Sequence, residues 1–109
     1  MLILLSMYLF SGILLMALSV PMITGKIPPN GFYGFRVKKT MENPDIWYPV
    51  NRFSGKWLLA TGLVLALAAA GFFFIPGISL DIYSYVVLAV WVVASTAAMI
   101  ACLRYLKSL

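Results

Sequence analysis

Asn43, Trp47, Asn51 and Gly55 recur at every fourth position, so on a helix they would line one stripe. Two amides and an indole can hydrogen-bond, and a glycine lets another chain approach closely. Just upstream, Arg36 brings five guanidinium donors to the end of a Tyr33-Gly34-Phe35 turn, from which it can reach loop carbonyls. This chemistry suits recognition rather than bond-breaking. The chain has three acidic residues and no histidine. Glu42 and Asp45 fall in a basic loop and Asp81 stands alone, so no acid–base pair, nucleophile–histidine arrangement or metal cluster can be assembled. The expectation is a protein that is not an enzyme, with no catalytic residue, metal or cofactor.

These residues interrupt an oily chain. Of 109 residues, 63% are hydrophobic and 10% charged, with a mean hydropathy of +1.01; soluble proteins carry roughly 25% charge. Three charge-free runs, Met1 to Gly25, Trp57 to Leu80 and Ile82 to Leu103, each reach the roughly 20 residues that cross a bilayer core. They predict three transmembrane helices near 3–24, 57–75 and 83–103 in a single all-α membrane domain, 1–109. The first run is not read as a signal peptide, since no Lys or Arg precedes it and its apolar stretch is long. The segment KIPPNG should stop the first helix, and IPGISLD should join the other two as an antiparallel hairpin. The single cysteine, Cys102, cannot form an internal disulfide.

All eight basic residues fall in loop 26–56 or after the last span. The positive-inside rule then predicts a multi-pass protein of the cell membrane with its N-terminus outside and loop 26–56 and the C-terminus cytoplasmic. So close to lipid, Lys26, Lys38, Lys39 and Lys56 suit anionic head groups better than nucleic acid. Within the loop, Phe32, Tyr33 and Phe35 suit an interfacial aromatic belt. Asn43, Pro44 and Asp45 form a helix-start signal. Ile46, Val50, Phe53 and Trp57 add an apolar stripe, which predicts a cytoplasmic interfacial amphipathic helix leading into the second span, kinked or divided at Pro49. Lipid seating explains that stripe but not the Asn/Trp/Gly one.

No ionisable residue lies within a predicted span, which argues against a proton-coupled transporter. Ridges of small residues, Gly62-Ala66-Ala70 in the second span and Ala94-Ala98 and Ala97-Ala101 in the third, would pack helices together and leave a homo-oligomer open. The hydroxyls of Ser54, Ser84, Ser95 and Thr96 are expected to bond back to their helices or pack between them.

The order Asn30, Tyr33-Gly34-Phe35-Arg36, Thr40, Asn43, Trp47, Asn51, Gly55, followed by two apolar helices, resembles the signature of the SdpI family of small prokaryotic membrane proteins. The likeness runs from about Ile23 to the C-terminus. It implies immunity against a secreted toxic peptide, or signal transduction in which a cytoplasmic repressor is sequestered at the membrane. Carried over by position, the partner- or ligand-binding candidates are Asn30, Tyr33, Gly34, Arg36, Thr40, Asn43, Trp47, Asn51 and Gly55. Two other roles fit the residues themselves: a component of an oligomeric pore or transporter, and an accessory subunit stabilising a larger membrane complex.

Overall fold

A computed structural model describes residues 1–31 and 34–109. It contains helix α1 (Leu2–Ile23), a single-turn helix α2 (Lys38–Glu42), and two long helices, α3 (Pro44–Phe73) and α4 (Leu80–Ser108). The three long helices are each long and apolar enough to cross a membrane. They lie alongside one another in a bundle 52 Å long and 23 by 18 Å across.

α1 ends two residues before the KIPPNG segment can act. Gly25 takes a left-handed conformation at φ 72°, Lys26 N donates to Pro21 O and Gly25 N to Met22 O. That paired pattern closes the last turn around a residue that needs no Cβ. Asn43 caps α3 through its side chain, accepting from Asp45 N at 3.0 Å, with Pro44 next. Ser79 caps α4 in the same way, accepting from Ile82 N at 3.1 Å.

The sequence predicted a short interfacial helix leading into the second span and kinked or divided at Pro49. The segment after Asn43 is the first part of α3, which runs unbroken through Pro49. Proline at this position removes one donor, the bond to Asp45 O, but the turns on either side hold the register. At 1.5 Å per residue, the 30 residues of α3 span about 45 Å, against a bilayer core of about 30 Å. The excess of about 15 Å corresponds to about ten residues, the first turns that carry Asp45 and Arg52.

α3 is the central element. Gly62 and Gly12 meet where α1 crosses it, so closely that a Cβ on either would lie 2.6–2.7 Å from the other's carbonyl oxygen. The Gly62-Ala66 ridge thus packs against α1. In α4 the small residues are arranged differently: Ala98 borders a cavity, and Ala97 and Ala101 a shallow cleft beside Phe53. α3 and α4 form the expected antiparallel hairpin. Phe53 stacks on Tyr105 at 4.3 Å at the basic end, and Tyr83 donates to Ala69 O at 2.7 Å at the opposite end. α1 and α4 scarcely approach each other; they are bridged near the non-basic end, where the Tyr8 and Ser84 hydroxyls are 3.1 Å apart.

Candidate functional site

The chain between α1 and α3 folds back over the basic end of the bundle, and the fourfold stripe of α3 holds it there. Trp47 is fully buried, and its indole Nε1 donates to Ile27 O at 2.8 Å across the loop. One turn on, Asn51 is 2% exposed. Its Oδ1 accepts from Phe35 N at 2.6 Å, while its Nδ2 donates to Trp47 O at 3.0 Å. Arg52 adds a bond from Nε to Ile23 O at 3.2 Å. Carbonyls at the end of α1 and amides of the loop, both left unpaired by irregular backbone, thus find partners on one helix face.

The glycines of the signature make this fit possible. Gly34 sits at φ 113°, where a side chain is strained, and a Cβ there would lie 2.6 Å from Asn51 Oδ1 and 3.1 Å from the Trp47 ring. Gly55 lies under the end of α1, and a Cβ there would come within 2.9 Å of both Met22 and Ile23.

Thr40 is buried in the loop and organises its short helix. Its Oγ1 accepts from Val37 N at 3.0 Å and lies within 2.9 Å of Phe35 O and 2.8 Å of Val37 O, either of which its single proton can reach. Arg36 is exposed, but its Nη1 donates back to Gly31 O, the reach to a loop carbonyl expected from the turn. Asn30 donates to Pro28 O at 2.9 Å. Asn43 is an exposed helix cap. Tyr33 and its neighbour Phe32 lie outside the described residues.

The candidates are thus brought together, but largely inward. Trp47, Asn51 and Thr40 spend their polar atoms on the loop itself, and Gly34 and Gly55 are contact points. Val50, expected on the lipid stripe, is also fully buried. Among the described residues, the side chains that the loop presents outward include Arg36, Lys38, Lys39, Met41 and Glu42, all exposed. Lys26 and Lys56 are exposed as well, whereas Lys39 also donates to Leu106 O at 3.1 Å, tying the loop to the last turn of α4. A cation there complements the helix C-terminus.

One further polar group departs from expectation. Several helix hydroxyls bond back: Ser11 to Met7 O at 2.8 Å, Ser19 to Met16 O at 2.6 Å and Thr61 to Trp57 O at 2.8 Å. Ser84, one of those expected to bond back or pack between helices, meets Tyr8 of α1. Ser54, 7% exposed, does neither, and its Oγ has no hydrogen-bond partner among the described residues. The nearby Cys102 thiol is a weak partner at best. Ser54 borders a cavity of about 390 Å³ that lies under Gly34 and Phe35 and between α1, α3 and α4. An unpaired buried hydroxyl costs about 1–3 kcal/mol. Its sequence signal was absent, because a serine in an apolar run looks the same whether it bonds back or not.

Chemically, the site can hold a loop in register and couple it to three helices. Among the described residues, no three His, Cys, Asp or Glu side chains gather as a metal site would require. Compared with known proteins, the chain matches the model of the SdpI/YfhL protein family over residues 26–105, the loop and the two helices after it. No curated protein and no solved structure matches it.

Proposed function

Because this chain belongs to the SdpI/YfhL protein family, we propose that it protects its cell from a secreted toxic peptide, or signals that peptide's presence by holding a cytoplasmic repressor at the membrane. It does so without catalytic chemistry. The observation that carries this reading is the clasp of Trp47 and Asn51 over the loop. Both ends of the loop are bonded to α3, while α3 packs along α1 within the apolar layer. A shift of α1 against α3, caused by a peptide arriving in the membrane, would therefore change the surface formed by Arg36, Lys38, Lys39 and Glu42.

In this reading the buried signature residues set the loop's shape, and the exposed ones meet the partner. The eight basic residues support an orientation with the loop and C-terminus in the cytoplasm. The test is survival of a toxin-sensitive host expressing the chain. Wild-type protein should raise survival, and Asn51→Ala, present in the membrane at equal abundance, should lose most of the gain. Killing unchanged by the wild-type chain would refute immunity. A soluble repressor that stays cytosolic with and without the peptide would refute signalling.

A further inference from the structure

The cavity beneath the loop has the build of a lipid site. It lies between α1, α3 and α4, and its walls include Leu15, Met22, Leu58, Trp91, Ala98 and Met99. A second cavity of about 360 Å³ continues it toward the opposite end, sharing Leu15 and Trp91. Together they form an apolar cleft running along α3 between helices of membrane-spanning length. Each volume falls in the roughly 300–1,000 Å³ of small-molecule sites. Among the described residues, the Ser54 hydroxyl, enclosed in the wall of the first cavity, is the buried side-chain oxygen without a hydrogen-bond partner.

Depth on α3 identifies what that hydroxyl could meet. Ser54 lies between the exposed Arg52 and Lys56, so it sits at the level where the basic end gives way to the apolar layer. In a glycerophospholipid this is the depth of the ester carbonyl, an acceptor with the acyl chain running inward and the phosphate outward. The charge is complementary, since all eight basic residues lie at this end or in the loop above it.

We infer that the cleft holds one acyl chain of an anionic phospholipid from the surrounding bilayer, with its ester carbonyl accepting from Ser54 Oγ. The site is independent of the immunity or signalling role and would survive its refutation.

Native mass spectrometry of the full chain, purified and delipidated in detergent and titrated with dioleoyl phosphatidylglycerol, tests this. One lipid should bind about tenfold or more tightly than the next ones, and dioleoyl phosphatidylcholine should bind that site more weakly. Ser54→Ala, which removes the donor with little change of volume, should weaken the first site about three- to tenfold, the value of one hydrogen bond. Ala98→Phe, filling the cavity, should abolish it while helicity by circular dichroism is kept. If Ala98→Phe does not fold, Ser54→Ala alone decides. Lipids binding with equal affinity, or a first site indifferent to Ser54→Ala, would overturn the proposal. So would retention of oleate in place of phospholipid, or a dimer that Ala98→Phe dissociates, which would assign the cleft to a second copy.

Discussion

Gly34 and Gly31 sit in the same loop and place opposite demands on it. Gly34 combines a positive φ with a Cβ position already occupied by Asn51 Oδ1, whereas a Cβ on Gly31 would meet nothing within 4 Å. A left-handed conformation costs an ordinary residue about 1–2 kcal/mol, and at Gly34 the collision with Asn51 adds to it. Gly34→Ala is therefore expected to destabilise by at least about 2 kcal/mol and expose the loop to limited proteolysis, with Gly31→Ala near wild type. Equal protease resistance in the two variants would contradict the clasp. At this scale the sequence was partly legible. Fourfold spacing marked Asn43, Trp47, Asn51 and Gly55 as one stripe, and the turn before Arg36 indicated its reach to a carbonyl. The partners were not legible: Trp47 pairs with Ile27 and Asn51 with Phe35 across an irregular turn whose path no periodicity encodes. Ser54 was missed because its lack of a back-bond depends on the space beside it.

Charge-free runs of adequate length made the three long helices readable, as did the Asn43-Pro44 start; the Ser79 cap of α4 emerged only in the structure. The helices' extents were less readable. Pro49 was expected to kink or divide the interfacial helix, but the backbone continues through it, and α1 and the loop give that part of α3 something to pack against. The termination of α1 at Gly25 was hidden behind two prolines that seemed sufficient to stop it. The crossing of α1 and α3 gives a test at this scale. Gly62→Leu, placed against Gly12 O, should separate the helices and lower the thermal midpoint in detergent by well over the effect of Gly71→Ala. Gly71 lies in the same helix with nothing within 4 Å of its missing Cβ, so alanine there should be neutral or gain about 0.5–1 kcal/mol from reduced backbone entropy. A Gly62→Leu protein as stable as wild type would show that α1 does not rest there.

For the whole molecule, the loop and the end of α4 share one side, joined by the Lys39 bond to Leu106 O and the stack of Phe53 on Tyr105. Reporters active only in the cytoplasm, fused after Leu109, should give signal, and the same reporters fused before Met1 should not; the reverse pattern would invert the proposed orientation while leaving the fold untouched. The unequal distribution of packing has a mechanical consequence. α3 touches both neighbours, while α1 and α4 are bridged near one end and part toward the other. Under load from the C-terminus, α4 is the weak link: it would peel away from the basic end first, breaking the Lys39 and Tyr105 contacts in sequence like a zipper. The interlocked glycines of α1 and α3 would yield last, so the bundle has a built-in order of failure.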